Sequence, residues 1–263
     1  MRLFWELARR AFQRQMTYRA AAIAGLAANF FFGILRFSVM IALYGTRQEV
    51  AGMTVQGAVT YTCLAQGVIA FLSLFSWYDL MMTVYNGGVA SDLLKPMNYF
   101  SFWLAQDFGR AIAQLILRGL TIMAAYAIFV ELVYPSGAVE WLAVGAALGL
   151  AWLVSFSYRF LINLTAFWFP NALGIGRFAF ILSWFTSGFL MPLRFFPIWF
   201  QRLCQLTPFP YTVNVITEVY LGLVRGPQLV GALAMQLVWA LVLIFLGQLV
   251  LRAGMKRLVI LGG

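Results

Sequence analysis

Histidine does not occur in this 263-residue sequence. Its absence removes His-ligated metal centres, His-based catalytic triads and a histidine pH switch together. Cysteine is nearly as scarce: Cys63 falls in an apolar stretch and Cys204 in a loop, so their placement implies neither a zinc site nor a disulfide. Charge is sparse too, at 10% of residues against about a quarter in a soluble domain, while 63% are hydrophobic. A water-soluble core cannot absorb that excess. No G-x-x-x-x-G-K-[ST] loop is present, so the chain has no P-loop to cradle nucleotide phosphates. Nor does the spacing of its few carboxylates suggest a pair set up for acid–base chemistry.

What the sequence does have is long apolar runs, several exceeding the roughly 20 residues an α-helix needs to cross a ~30 Å hydrocarbon core. Six spans are predicted, at about Ala20–Tyr44, Ala58–Val84, Phe108–Val133, Trp141–Asn163, Leu173–Leu190 and Leu229–Leu251. The fold class is therefore all-α, a polytopic membrane protein forming a single domain over 1–263. A tight turn is expected between the fourth and fifth spans, where Pro170 and Asn171 cannot comfortably continue a helix. Ahead of the first span, Arg2 to Met16 places Leu3, Phe4, Leu7, Ala8, Ala11 and Phe12 on one helical side and Arg2, Glu6, Arg9 and Gln13 on the other. Residues 1–19 are thus expected to carry an interfacial amphipathic helix. The basic stretch is too long, and lacks a following small-residue cleavage site, for a signal peptide, so the first apolar run is expected to stay in the mature protein.

The formal net charge is +10, from 18 Lys and Arg against 8 Asp and Glu. These cations cluster at span ends, which fits orientation signals and contact with anionic lipid rather than nucleic acid. Arg2, Arg9, Arg10, Arg14 and Arg19 precede the first span, Lys95 and Arg110 lie around the second connection, Arg159 and Arg177 flank the fourth span, and Arg252, Lys256 and Arg257 close the chain. The alternate connections hold only Arg47, Arg194, Arg202 and Arg225. The positive-inside rule then puts both termini in the cytoplasm.

Two connections are unusual. Residues 85–106 carry Asn86-Gly87-Gly88 and then Ser91-Asp92-Leu93-Leu94-Lys95-Pro96, in which a glycine turn, a cap-capable Ser or Asp and a terminating proline frame a short cytoplasmic helix. Residues 191–227 are rich in prolines and aromatics, including Pro192, Pro197, Trp199, Pro208, Phe209, Pro210 and Tyr211. That loop is too apolar to be simply solvated, so short helices lying at or dipping into the outer interface are expected.

Within the third span Gln106, Arg110, Gln114 and Arg118 recur every fourth residue, with Asp107 beside the first. A lipid-facing arginine at depth is costly, so the stripe should face protein or water. It reads either as structural pairing or as part of a pathway or subunit interface, with Arg118, Gln114 and Arg36 the candidates for the latter. Arg36 and Asp79 lie at opposite depths and read most simply as snorkelling side chains. Glu131 and Glu140 bracket a short outer loop as solvated ends.

The runs Ser187-Gly188-Phe189-Leu190-Met191-Pro192, Pro197-Ile198-Trp199 and Pro208-Phe209-Pro210-Tyr211, together with Gly87-Gly88 through Asp92-Leu93-Leu94-Lys95-Pro96, resemble ABC-2 type permeases. These are the six-span membrane subunits of bacterial ABC exporters, and the likeness covers essentially the whole chain. It implies a type V exporter-like fold in the bacterial cytoplasmic (inner) membrane, with 85–106 as a cytoplasmic coupling helix and 191–227 as short outer re-entrant or interfacial helices. By resemblance, Asp92, Leu93, Leu94, Lys95 and Pro96 contact the ATPase, while Gly188, Pro192, Pro197, Trp199, Pro208 and Pro210 shape the outer loop. No cofactor is implied in this chain, because ATP and Mg are bound by partner ABC ATPase subunits. A second ABC-2 permease, identical or homologous, and membrane lipid complete the implied partners, with no nucleic acid.

Pro208-Phe209-Pro210-Tyr211 followed by Tyr220-Leu221-Gly222 further resembles a subgroup of paired permeases, some associated with export of viologens and other toxic compounds. The cargo class implied is a hydrophobic, amphipathic or cationic compound, which an aromatic content of 17% would suit through cation–π contact. Two other readings compete. A secondary transporter or channel predicts ionisable residues near the bilayer midplane and paired broken helices, whereas a membrane-bound enzyme or assembly scaffold needs a constellation the residues do not assemble.

Overall fold

The computed structural model describes residues 2–17, 19–75, 77–169 and 171–257, and apart from one small hairpin its regular structure is helical. Helix α1 (Arg2–Thr17) docks along α6 (Tyr99–Gln114). Ala8 and Ala11 are buried there, and a Cβ on Gly109 would come within 1.9 Å of the Ala8 carbonyl oxygen, so only glycine permits the approach. The apolar side of α1 thus covers protein, while Arg9, Arg10 and Arg14 stay exposed.

Helix α2 (Arg19–Tyr44) leads through a hairpin, Glu49–Val50 paired with Met53–Thr54, into α3 (Val55–Leu72). Thr54 caps α3, its hydroxyl accepting from the Gly57 N–H at 3.1 Å. In its most apolar stretch 83% of α3 is buried, against 17–28% for the other long apolar helices, which makes α3 the central post.

Five helical segments are long and apolar enough to cross a membrane: Ile23–Tyr44, Val55–Leu72, Tyr99–Phe129, Ala138–Phe167 and Pro227–Met255. They differ from the six predicted spans in three places. The predicted second span is broken, because α3 ends at Leu72 in a Schellman turn: Ser73 adopts the left-handed conformation (φ 51°), its N–H reaches the Ala70 carbonyl, and the Leu74 N–H reaches that of Ile69. The chain resumes as α4 (Asp79–Tyr85) and α5 (Val89–Leu93). The predicted third span starts nine residues early, since Asn98 caps α6 by accepting from Phe100 and Ser101 N–H groups. It continues through a π-helical segment, Leu115–Leu120, into α7 (Thr121–Phe129).

The predicted fifth span is the 14-residue α9 (Leu173–Thr186), about 21 Å at 1.5 Å per residue. Gly188 at φ 80° turns the chain away after it. Helix α8 (Ala138–Asn163) passes through a 3-10 turn, Leu164–Phe167, towards α9, and Pro170, invoked for the turn, lies outside the described residues.

The 191–227 segment forms 3-10 turns at Leu193–Phe195 and Phe209–Tyr211, plus α10 (Ile198–Gln205) and α11 (Val213–Tyr220). Helix α10 exposes Ile198, Trp199 and Leu203 and buries Cys204, whose thiol burial pushes up. Helix α11 is buried against α8 and α3, so the segment dips into the bundle, where protein rather than lipid surrounds its irregular backbone. Helix α12 (Pro227–Met255) then packs along α8, and Gln236 ties it in by donating to the Ala147 and Tyr211 carbonyls at 3.1 and 2.8 Å.

Candidate functional site

The break after α3 frees carbonyls that a continuous helix would satisfy, and side chains from three other helices take them. Arg110 of α6 donates to the Ala70 and Phe71 carbonyls at 3.0 and 3.1 Å, and Ser155 of α8 donates to that of Leu72 at 2.8 Å. Trp184 of α9 donates to Leu74, and Asn163 of α8 to Trp77, both at 2.8 Å. The arginine cap is itself anchored. Asp107 accepts from Arg110 at 2.8 Å, from Arg159 in a bidentate pair at 3.0 and 2.9 Å, and from the Trp152 indole at 2.9 Å. Arg159 is 1% exposed and Asp107 2%, so the carboxylate balances two buried or half-buried cations with its lone pairs filled.

This joint holds the α4–α5 corner. Asn163 also accepts from the Met81 N–H at 3.0 Å, so α4 hangs from the end of α8. Gly87, at φ 73°, makes the turn into α5. The short helix starts at Val89, ahead of the predicted Ser or Asp cap, because the glycine turn leads straight into it. Ser91 donates back to the Gly88 carbonyl at 2.9 Å instead of capping.

The five residues assigned to ATPase contact separate here. Asp92 is buried and pairs with Lys95 at 2.6 Å, and the Lys95 ammonium sits 3.7 Å from the centre of the Phe102 ring. Leu93 packs into the aromatic cluster around Trp77, Phe100 and Phe160. Leu94 is 86% exposed, with Pro96 exposed beside it.

A second break follows α9. Arg36 of α2 donates to the Phe189 and Leu190 carbonyls, and its guanidinium lies 4.3 Å from the centre of the Phe189 ring, so it does not snorkel. The Tyr61 hydroxyl lies 2.8 Å from the Gly188 carbonyl oxygen and 3.0 Å from Asn214 Oδ1, while Asn214 accepts from the Leu193 N–H at 3.2 Å. The Asn214 N–H takes the Ser187 carbonyl at 2.9 Å. A Cβ on Gly188 would lie 2.5 Å from the Tyr61 oxygen, so this close convergence needs glycine.

Pro192 is buried ahead of one 3-10 turn, Pro197 leads into α10 with Trp199 exposed on it, and Pro208 and Pro210 frame the second 3-10 turn. Arg194 fastens the segment by pairing with Glu218 at 3.0 Å and donating to the hairpin carbonyl of Ala51 at 3.1 Å.

The polar stripe of the third span divides among its neighbours. Arg110 enters the joint, Gln114 donates to Gln15 of α1 at 2.9 Å, and Arg118 lies against α2, where a Cβ on Gly25 would meet its guanidinium at 2.5 Å. The sequence reading did not anticipate Arg159, Asn163, Ser155, Trp152, Trp184, Tyr61 or Asn214. A flanking orientation charge, the role its position suggests for Arg159, would be exposed; Arg159 is instead buried and paired with Asp107 of α6. One signal was available: Ser155, Arg159 and Asn163 recur every fourth residue and so share one face of α8.

A family model described as ABC-2 family transporter protein matches residues 30–262. The chain belongs to the ABC-2 transporter family. It is accordingly a multi-pass membrane permease of an ABC transporter, a transmembrane subunit that associates with an ABC ATPase. No curated protein matches the sequence. In a permease of this kind the joint at Asp107 and the α4–α5 corner lie on one continuous set of hydrogen bonds, which runs from Met81 through Asn163 and Arg159 to the end of α3.

Proposed function

We propose that this permease moves a hydrophobic, amphipathic or cationic compound out of the cytoplasm, and that its ATPase docks on the corner formed by α5 and Leu94-Lys95-Pro96. The carrying observation is Leu94, a large apolar side chain 86% exposed at the tip of a corner in which Asp92, Leu93 and Lys95 are internally engaged. A leucine this exposed gains free energy when a partner's groove removes it from water. A push there moves α4, and Asn163 and the Asp107 joint carry it to α8 and to the lower end of α3.

In this reading both termini are cytoplasmic, the membrane is the bacterial inner membrane, ATP and Mg are held by the ATPase, and a second permease, identical or homologous, completes the pathway. The charge distribution supports the orientation, with exposed Arg9, Arg10 and Arg14 on α1, Arg252 in the last turn of α12 and Lys256 and Arg257 just after it.

The test is Leu94→Asp in vesicles that hold the permease with its ATPase and partner permease. Insertion and melting should be unchanged, because Leu94 packs against little, while cargo moved per ATP hydrolysed falls at least tenfold. Normal transport by this variant would overturn the docking assignment.

A further inference from the structure

A second feature lies away from both breaks. Between α3, the π segment with α7, and α8, closed at one end by α11, runs a cleft of about 320 Å³ with an apolar lining. At its back a Cβ on Gly119 would lie 2.9 Å from the Gly67 carbonyl oxygen, so α3 and the π segment touch there. The cleft therefore ends against that contact at its floor. Its side walls are kept low by Ala124 and Ala127. Leu120, Tyr134 and Trp141 at its mouth are each at least half exposed, and Ile128 and Leu142 beside it are more so, which marks this flank as lipid-facing.

We infer that this groove holds one acyl chain of a membrane phospholipid. Three observations select a chain over a compact ligand. From Leu115 to Ala127 the wall runs about 18 Å at 1.5 Å per residue, close to the ~15 Å of one leaflet's share of a ~30 Å hydrocarbon core. The hydroxyl- and indole-bearing residues, Tyr134, Trp141 and Tyr220, gather at one end, with Trp141 and Tyr220 edge to face at 5.7 Å; tyrosine and tryptophan sit at headgroup depth. Below them the lining carries no charged side chain, so nothing there would fix the orientation of a polar or ionic compound. The groove has a local cause: the π segment adds a residue to its turn and brings Leu115, Gly119 and Leu120 together on the wall, as π segments commonly do at functional sites. Since Gly67 forms the floor, the bound chain touches the central helix itself.

The test uses the whole purified chain in phospholipid vesicles doped with a phospholipid bearing a diazirine midway along one acyl chain. After photolysis, labelled peptides are mapped. Labelling at Met123, Ala124, Ala127 and Leu148 should exceed that at Leu241 and Phe245, exposed on α12, at least fivefold. Ala124→Phe should abolish the excess while leaving α12 labelling and the melting midpoint unchanged; Ala127→Leu, a smaller filling, should reduce it about by half. Equal labelling at both places means ordinary boundary lipid and overturns the proposal. So does an excess that survives both variants, or one displaced by stoichiometric tetraphenylphosphonium, which would make the groove a pocket for compact cations. No ATPase takes part, so failure here leaves the docking reading intact.

Discussion

The bundle breaks a helix twice, and the two breaks are held differently. After α3, the freed carbonyls go to Arg110, Ser155, Trp184 and Asn163, and a buried carboxylate, Asp107, neutralises the arginines around it. After α9, the carbonyls go to Arg36, Tyr61 and Asn214, and no salt bridge to Arg36 is present among the described residues. Its Nη1 is buried without a hydrogen-bond partner there, and the charge rests on carbonyl dipoles and the Phe189 ring. The first break is a locked joint with a buried charge network at its centre. The second is a latch closed around Gly188 by neutral groups and by Arg36, which has no acidic partner among the described residues, so it can open at lower cost. With the ATPase docked at the α4–α5 corner, as proposed, the locked break would lie at the end that receives force and the latch at the end that yields.

The largest expected effect tests the lock. Asp107→Ala leaves Arg159 charged and buried with its bidentate partner gone, a situation that costs about 3–5 kcal/mol. A large fall in the melting midpoint in nanodiscs, or loss of folded protein, is expected. Pairing it with Arg159→Met should restore much of the loss, because removing both partners of a buried pair removes the stranded charge. A single variant that melts within about 1 kcal/mol of the parent would show that the joint is not locked.

The latch should respond less. Asn214→Ala removes the buried acceptor of the Leu193 N–H and a neighbour of the Tyr61 hydroxyl, at about 1–3 kcal/mol for groups left unsatisfied. Arg36→Met keeps an apolar stem but gives up two carbonyl bonds, and it also removes a desolvated cation. These terms oppose each other, so a net loss of about 1 kcal/mol is expected. Thermal melts of Arg36→Met and Asp107→Ala side by side decide the matter, and equal losses would erase the distinction between lock and latch.

Much of this was legible in the chain and some was not, for physical reasons. Hydropathy finds spans because lipid demands long apolar helices, and it located α2, α8 and α12 within a few residues. It ran straight through the break after Leu72, because Ser73-Leu74 is no less apolar than a helix and the Schellman turn there uses serine where glycine would have announced it. Asn98 behind Pro96 signals the early start of α6, which hydropathy alone places later in the chain. Asp107 and Arg110, three apart, form a visible pair on one helix. Arg159 is 52 residues away, and only the packing of α8 on α6 shows that an apparent orientation charge is a buried partner. The same holds for Tyr61 and Asn214, 153 residues apart and joined only by the fold.

The smallest expected effect has the opposite sign and sharpens the comparison at the level of the backbone. Both breaks turn through a left-handed residue, Gly188 at φ 80° and Ser73 at φ 51°. Glycine takes that conformation freely, whereas serine is strained by about 1 kcal/mol. Ser73→Gly relieves the strain but also frees the unfolded chain, which offsets part of the gain. A net stabilisation of about 0.5 kcal/mol is expected, seen as a rise of about 1–2 °C in the melting midpoint. Such a rise means that the side chains around the first break, and not its backbone, hold it shut. A fall would mean that serine itself stiffens the turn, and the lock would then extend from the Asp107 charge pair into the main chain of α3.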